Sequence, residues 1–333
     1  MTRAVEIRSS FVPAEALAAY RKDGVVKLEQ ILSADEVGLL RAAVDRQLDE
    51  RVDSASAYDF QDIAEQIWRG QGAIDAGSAT RFNMERFRTL IDADANARPL
   101  FDEADGAPRG RFFYQAAGWR RLPEIRMVAL DSILPEVSAE LLDTAYVNFW
   151  EDTTFVKTPG ATQRTAFHQD YAYFQISGRK CCIAWIALDP ANEATGALEY
   201  VRGSHLWGRE FAPNLFVAQT TLPESAGERL PDIEANRAAY DIVRIDAEPG
   251  DVIFHDVFTV HGAGGNRSAD QWRRAVSFRY CGDDVRYWDR PGAIPQPWVA
   301  DKPSDGAPLY SADYPRVWPR PFPGALLSKL YDD

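Results

Sequence analysis

Cysteine and histidine are scarce in this chain of 333 residues, which has three cysteines and four histidines. No Cys-x-x-Cys pair occurs, so neither a zinc site nor a dithiol redox centre is expected. Adjacent cysteines rarely bridge, and we expect reduced core thiols at all three positions: Cys181, Cys182 and Cys281. Any imidazole ligand of a metal must come from four residues: His168, His205, His255 and His261.

Positive charge is also in short supply. The chain has 37 basic and 50 acidic residues, which gives a net charge of -13. Because negative charge repels phosphates and anionic membranes, we expect neither nucleic acid nor a membrane as a partner. The charge also counts mildly against a large polyanionic substrate such as an acyl-CoA, so a small-molecule substrate is favoured. The oligomeric state is not indicated.

Long apolar runs are absent. The first ten residues lack the apolar core of a secretory signal, and no later stretch has the length that a bilayer span requires, so we expect a cytoplasmic protein. Hydrophobic residues make up 46% of the chain and aromatic residues 12%, enough for a substantial core. Because β-barrel-like folds often form long single units, we expect one domain over residues 1–333.

The first 143 residues favour helices. Apolar residues at helical spacing predict four of them, at 14–21, 34–51, 122–131 and 132–142. Ser33 and Glu36 form a capping box that starts the second helix, and a short strand is indicated at 25–28. We expect residues 1–143 to form a mostly helical layer and cover, although 58–101 mixes helix and loop signals.

Strand patterns dominate from residue 144 to residue 282. Apolar and β-branched runs predict strands at 145–150, 154–157, from 165, and at 180–188, 197–201, 252–255 and 274–279. Residues 206–240 are the longest stretch without a strand pattern, which is typical of a lid or binding loop. We expect Trp207, Phe211 and Phe216 to help cover a substrate, with packing on the barrel exterior as the alternative.

The segment 283–333 is rich in proline and predicts an extended arm on the surface. Five aromatic residues favour docking of this arm over disorder: Trp298, Tyr310, Tyr314, Trp318 and Phe322.

His168 and Asp170 suggest a metal site. In an extended strand, residues two apart lean toward the same side and can share one ion. Two imidazoles and one carboxylate leave three adjacent positions open, which suits non-haem Fe(II) oxygenases. His255 and His261 are separated by roughly 20 Å along a regular strand, so His255 cannot share the ion unless the strand breaks. His205 closes a Gly-Ser-His turn and fits a structural histidine.

Six motifs follow one another along the chain: Phe167–Phe174, Ala184–Asp189, Gly196–His205, Pro249–His255, His261–Ser268 and Arg273–Tyr280. In this order the chain resembles the phytanoyl-CoA dioxygenase family of Fe(II)- and 2-oxoglutarate-dependent oxygenases, from about Ala18 to Pro321. The resemblance implies a mainly β fold with helices. Its core would be a double-stranded β-helix of the jelly-roll or cupin-like kind over 144–282, with an N-terminal helical layer.

The resemblance also implies roles for particular residues. His168, Asp170 and His261 would bind Fe(II), with 2-oxoglutarate and dioxygen as co-substrates. The family places its 2-oxoglutarate-binding arginine on the strand after the distal histidine. Arg273 is the match, and Arg274 is the alternative because strand alternation allows only one of them to face the site.

Several other residues are candidates for lining the site. Trp185 matches an aromatic residue that lines the co-substrate pocket in the family, with plain core packing as the alternative. Thr165 could hydrogen-bond a co-substrate carboxylate, whereas alternation points Gln169 away from the metal. Tyr171 or Tyr173 could line the substrate chamber, and a structural role for both is the alternative.

The expected reaction is hydroxylation of a small hydrophobic or secondary-metabolite-like molecule, with release of succinate and CO2. The halogenating relatives lack a carboxylate at the position of Asp170, so halogenation is disfavoured, whereas desaturation, ring formation or endoperoxidation would use the same ligands as hydroxylation. One alternative is a cupin-like enzyme that uses its metal as a Lewis acid without 2-oxoglutarate, in which loss of Arg273 would hardly matter. The other is a non-catalytic jelly-roll binding protein without a metal.

Overall fold

The predicted N-terminal helices are present in the computed structural model, which describes residues 10–49, 57–59, 110–222, 224–294, 296–300 and 302–320. They are α1 (Ala14–Asp23), α2 (Ala34–Asp49), α3 (Pro123–Asp131) and α4 (Leu134–Leu142). The helix and loop signals in residues 60–101 lie outside the described residues. In the described part of the chain, no helix combines the length and apolar character needed to cross a bilayer.

The predicted capping box forms at the start of α2. The Ser33 N–H donates to Glu36 Oε2 at 2.8 Å, and the Glu36 N–H donates to Ser33 Oγ at 3.3 Å. Gly24 ends α1 in the left-handed region at φ +77°, and a Cβ there would lie 2.4 Å from both His205 and Thr259. Only glycine therefore fits this turn, which leads the chain into the first strand.

Two antiparallel sheets face each other and form the double-stranded β-helix. The first seven strands are β1 (Val25–Leu28), β2 (Ala57–Asp59), β3 (Phe112–Ala116), β4 (Val147–Lys157), β5 (Thr165–His168), β6 (Ile176–Ser177) and β7 (Cys181–Ala187). They are followed by β8 (Leu198–Val201), β9 (Ile242–Ile245), β10 (Val252–Asp256), β11 (His261–Ala263), β12 (Arg273–Cys281), β13 (Arg286–Tyr287) and β14 (Arg316–Trp318). The larger sheet has the order β1-β10-β7-β12-β4-β3-β2, with β14 also paired to β4, and the smaller has the order β5-β11-β8-β9.

The larger sheet is buried on both faces. Alternate residues of β12, such as Val276 and Phe278, pack outward on the helices around Leu40 and Ile125. Residues on the opposite face, such as Ala275, pack inward with Trp185 and Tyr200, in the space between the two sheets. This alternation gives β12 one face for the core and one for the interior of the barrel.

The segment 206–240 divides between two environments, and the prediction for two of its aromatic residues was wrong. Trp207 and Phe211 pack with Phe167 on the outer face of the smaller sheet, as the alternative stated. Phe216 instead packs with Phe112 at a ring distance of 6.2 Å, on the inner side of the barrel. Within the described part of this segment, only the middle therefore lines the interior of the barrel.

The C-terminal arm is docked, as its aromatic residues predicted. β14 pairs with β4, and Tyr314 is fully buried, with its hydroxyl donating to Gln296 at 2.9 Å. Trp298 donates its indole N–H to Glu151 Oε1 at 2.9 Å, whereas Tyr310 is 54% exposed. Phe322 lies outside the described residues. The arm thus supports the inner face of β4.

Candidate active site

His168 and His261 lie opposite each other on neighbouring strands of the smaller sheet. β5 and β11 place the two residues in register, and their ring centroids are 4.3 Å apart. The expected extended strand through Asp170 was wrong in one respect: β5 ends at His168, and Asp170 begins a 3-10 turn, Asp170–Tyr173. The turn still brings Asp170 Oδ1 to 3.3 Å from His168 Nε2 and 3.9 Å from His261 Nε2.

Backbone carbonyls orient both imidazoles. His168 Nδ1 lies 2.8 Å from the carbonyl oxygen of Ala166, and His261 Nδ1 lies 3.0 Å from that of Thr259. A carbonyl only accepts, so each Nδ1 carries the proton and each Nε2 is left free to bind a metal. The three candidate ligand atoms lie within 4.8 Å of one another, which makes His168, Asp170 and His261 a metal-binding triad.

The electrostatics of the triad favour metal binding. Burial and the neighbouring charges of His168 and His255 hold the pKa of His261 well below its usual range. Burial opposes ionisation of Asp170, but its electrostatic interactions with His261, His168 and His255 outweigh burial and lower the pKa of Asp170. A neutral imidazole and an ionised carboxylate are the forms that ligate a metal.

His255 lies beside the triad, which corrects the expectation that it is far away. β10 ends at Asp256, and the chain crosses to the other sheet before β11 begins. His255 Nε2 therefore lies 3.5 Å from Asp170 Oδ2, and its Nδ1 lies 3.1 Å from the Tyr200 hydroxyl. Since a carboxylate oxygen accepts, Nε2 donates to Asp170 and Nδ1 accepts from Tyr200. His255 thus holds the Asp170 oxygen that the other two histidines do not contact.

His205 is the histidine remote from the triad. It lies in the turn Ser204–Leu206, and its Nε2 is 3.2 Å from the carbonyl oxygen of Arg21, so its structural interpretation fits. Gln169 also points away from the triad, because its side chain donates to the backbone of Arg209 and Phe258.

Arg273 and Arg274 lie on opposite faces of β12, as alternation predicted. Arg273 faces the cavity around the triad, where it is buried and its guanidinium carbon lies 5.8 Å from the Trp185 ring centre. Arg274 faces outward and donates from Nε and Nη2 to the two oxygens of Asp189, at 2.8 and 2.9 Å. Arg274 is therefore already occupied, whereas Arg273 Nε has no partner among the described residues.

The cavity around the triad has largely apolar walls. Thr165, Trp185 and Tyr173 contribute to it as the sequence suggested, and the Tyr173 hydroxyl donates to Asn214 Oδ1 at 2.8 Å. Tyr171 packs instead on Phe258, with ring centroids 4.2 Å apart. Further wall residues come from β3, the 206–240 segment and the arm, and include Phe112, Tyr114, Leu215, Phe216, Leu222 and Ile294.

The sequence reasoning missed three polar residues on the larger sheet. Glu151, Ser277 and Arg279 line the cavity together with Arg273. The signal for two of them was available, because Ser277 and Arg279 continue the every-second-residue pattern that begins at Arg273.

Both the sequence and the fold are similar to those of known proteins. The model of the family described as phytanoyl-CoA dioxygenase matches residues 20–275. A curated protein of Caenorhabditis elegans, "Probable phytanoyl-CoA dioxygenase", is 29% identical over 125 residues. That match covers 37% of this chain and only 38% of the relative's own length.

Two solved structures are similar to this fold at 22% sequence identity. The carbocyclase SnoK of nogalamycin biosynthesis superposes with a TM-score of 0.62, over 92% of this chain and 97% of that chain. The epimerase SnoN, in complex with Fe3+, alpha ketoglutarate and nogalamycin RO, superposes with a TM-score of 0.60. The superposition covers 91% of this chain and 97% of that chain. At this identity the likeness establishes the fold. Because the family model matches most of this chain, residues 20–275, the chain belongs to the phytanoyl-CoA dioxygenase family of Fe(II)- and 2-oxoglutarate-dependent oxygenases.

Proposed function

We propose that this protein hydroxylates a small, largely apolar organic molecule, consuming dioxygen and 2-oxoglutarate and releasing succinate and CO2. The observation that carries the proposal is that the triad and Arg273 line one apolar cavity. Fe(II) held by His168, Asp170 and His261 would supply the oxidising chemistry, because such a ligand set leaves positions for the keto acid and for dioxygen.

Arg273 is the proposed anchor for the far carboxylate of 2-oxoglutarate. Burial lowers the pKa of its guanidinium to about 10, so the group is still a cation at neutral pH. A buried cation without an anionic partner is costly, and a dicarboxylate would neutralise it through two parallel hydrogen bonds. Trp185 flanks the guanidinium, and Thr165, which lines the same cavity, would donate its hydroxyl to a co-substrate carboxylate. The Lewis-acid alternative provides no partner for Arg273.

The aromatic walls would orient the substrate and exclude water. The Phe216 ring lies 5.1 Å from the ring of His168 and stacks on Phe155 at a centroid distance of 6.0 Å. Tyr114 meets both phenylalanines edge to face. Such walls hold a C–H bond near the metal through shape rather than through charge. They favour a compact hydrophobic or secondary-metabolite-like substrate over the acyl-CoA that the name of the Caenorhabditis elegans relative suggests.

A substrate screen under 18O2 tests the proposal. Purified protein with Fe(II) and 2-oxoglutarate is incubated with a library of small apolar compounds, and succinate release is measured. We expect a true substrate to raise succinate release and to yield a product heavier by one labelled oxygen atom. A product without label, formed equally well when 2-oxoglutarate is omitted, would contradict the proposal. Ring formation or epimerisation would consume 2-oxoglutarate without adding oxygen, and the product mass separates these outcomes.

We also propose a cytoplasmic location. The three cysteines are buried free thiols, and the Cys181 and Cys281 sulfur atoms lie 3.7 Å apart without being bonded. Such a pair is compatible with a reducing compartment. Fractionation of source cells should recover the protein with cytoplasmic markers, and recovery in the oxidising compartment would contradict this location.

A further inference from the structure

A β-bulge in β4 shapes the end of the cavity away from Arg273. In the pairing with β12, Arg279 lies opposite Glu151 and Tyr280 lies opposite Phe149, so Trp150 is an extra residue without a partner. Bulges of this kind re-aim a side chain beside a site. Here Trp150 and Glu151 both line the cavity, although consecutive residues of a regular strand would face opposite ways.

Polar groups without partners cluster at this end. Three buried atoms have no hydrogen-bond partner within the described residues: Trp150 Nε1, Ser277 Oγ and Arg279 Nε. Indole and guanidinium N–H groups can only donate, and a serine hydroxyl can donate as well. All three residues line the cavity, and buried donors of this kind are normally satisfied. The group that they lack is therefore a hydrogen-bond acceptor.

Arg279 brings positive charge to the same place. Its side chain is only 5% exposed; Nη1 donates to Thr153 Oγ1, and the guanidinium lies 5.2 Å from the Phe174 ring centre. Glu151 is its neighbour across the strands, but Glu151 Oε1 already accepts from Gln296 and Trp298. Burial raises the pKa of Glu151 to about 7, against the opposing charge of Arg279, so at neutral pH Glu151 is only partly ionised.

Arg279 and the co-substrate anchor serve different ends of the cavity. Arg273 lies six residues away on the same face of β12, which is roughly 20 Å along an extended strand. In the loaded enzyme, a divalent metal, Asp170, the two carboxylates of 2-oxoglutarate and Arg273 would balance one another in charge. Arg279 lies outside this set and faces the space that the substrate must occupy, with the buried carboxyls of Glu151 and Asp152 as the nearby acidic groups.

We propose that Trp150, Ser277 and Arg279 form the polar subsite of the substrate, and that the substrate carries an anionic oxygen group, such as a carboxylate or a phenolate, on an apolar body. This inference rests on the proposed function, because it places the group at the end of the cavity that the metal and 2-oxoglutarate leave free. The expected substrate is therefore a small, largely apolar molecule with one acidic oxygen group.

Binding of a matched set of probes tests the subsite without knowledge of the substrate. The probes are 2-naphthoate, 2-naphthol, 2-naphthamide and 2-naphthylmethylamine, titrated anaerobically into protein saturated with Fe(II) and 2-oxoglutarate. Because one charge-assisted hydrogen bond separates acid from amide, we expect 2-naphthoate to bind roughly tenfold more tightly than 2-naphthamide. Tighter binding of 2-naphthol than of 2-naphthoate would favour a phenolate over a carboxylate.

Arg279→Gln should remove the preference for the acid, and Arg279→Lys should retain part of it. The matched control is Arg202→Gln, which removes an exposed arginine paired with Asp241 on the surface. The visible absorption band of the iron-bound keto acid reports separately on the metal end. It should persist in Arg279→Gln, so failure of the subsite is distinguishable from failure of the proposed function.

Three results would overturn the inference. One is equal binding of acid and amide by the wild-type protein, and another is an unchanged preference for the acid in Arg279→Gln with the absorption band intact. The third is tightest binding of 2-naphthylmethylamine, which would assign the subsite to Glu151 and the substrate to the amines.

Discussion

The two ends of the cavity are built from different kinds of chain segment. At the metal end, His168, His261 and Arg273 lie on paired strands whose register fixes their positions. The opposite wall combines β3 with the middle of the 206–240 segment and Ile294 of the arm, three parts of the chain that are distant in sequence. The metal ligands, Arg273 and the proposed polar subsite are thus held by paired strands, whereas much of the apolar wall comes from connecting segments that can change without disturbing those strands.

Breaking the metal end should have the largest effect. His261→Ala removes one of three ligands, and we expect loss of stoichiometric iron and a fall of about a thousandfold or more in substrate-stimulated succinate release. Iron content and succinate are the measurements. His205→Ala is the matched control, because the His205 side chain bonds to the Arg21 carbonyl, away from the triad, and the variant should keep full iron content. One equivalent of iron retained by His261→Ala would contradict the assignment.

Substitutions of the two neighbouring arginines of β12 should have different effects, one on 2-oxoglutarate binding and the other on protein stability. Arg273→Gln should raise the KM for 2-oxoglutarate about a hundredfold, since a buried charge pair loses one partner. Arg274→Gln should leave that KM within about twofold and lower the free energy of unfolding by about 1 kcal/mol, through loss of the pair with Asp189. The reverse pattern would make Arg274 the anchor.

His255 should act on the metal indirectly. His255→Ala leaves Asp170 Oδ2 without its donor, and we expect Mn(II) affinity, followed by electron paramagnetic resonance, to fall roughly tenfold. Tyr200→Phe should have a smaller effect in the same direction, because the Tyr200 hydroxyl orients the His255 ring. An unchanged Mn(II) affinity in His255→Ala would contradict the positioning role. A loss of metal binding as complete as in His261→Ala would indicate that His255 is itself a ligand.

Substitutions in the 206–240 segment should have the smallest effects, and those effects should differ clearly between the inner residue Phe216 and the outer residue Trp207. Phe216→Ala removes an aromatic wall of the cavity and should weaken 2-naphthamide binding several-fold. Trp207→Ala, on the outer face, should leave that binding unchanged and lower the free energy of unfolding by about 1 kcal/mol. Equal effects of both changes on binding would mean that the whole segment covers the cavity.

The metal end was predictable from the sequence because its signals are local. A two-residue spacing suggested His168 and Asp170, whereas His261 and Arg273 were implied by the family resemblance, and strand alternation showed only that one of Arg273 and Arg274 faces the site. His255 could not be placed in the same way, because its position depends on where β10 ends and where the chain crosses between sheets. Both features depend on tertiary structure and cannot be predicted from the periodicity of the sequence.

The substrate end was hardest to predict for the same physical reason. Loops have no period, so nothing in the sequence separated Phe216 from Trp207 and Phe211. The bulge that turns Trp150 inward depends on the pairing of β4 with β12, which the residues of β4 do not reveal by themselves. Ser277 and Arg279 were within reach of simple alternation from Arg273.

The most direct test of the central claim is anaerobic titration of the Fe(II)-loaded protein with 2-oxoglutarate, followed through the weak visible band of a chelated keto acid. We expect the band in the wild-type protein, its absence in His168→Ala and a sharp weakening in Arg273→Gln at the same 2-oxoglutarate concentration. If the wild-type protein binds iron and shows no band, the claim that the iron and Arg273 bind 2-oxoglutarate together would be contradicted.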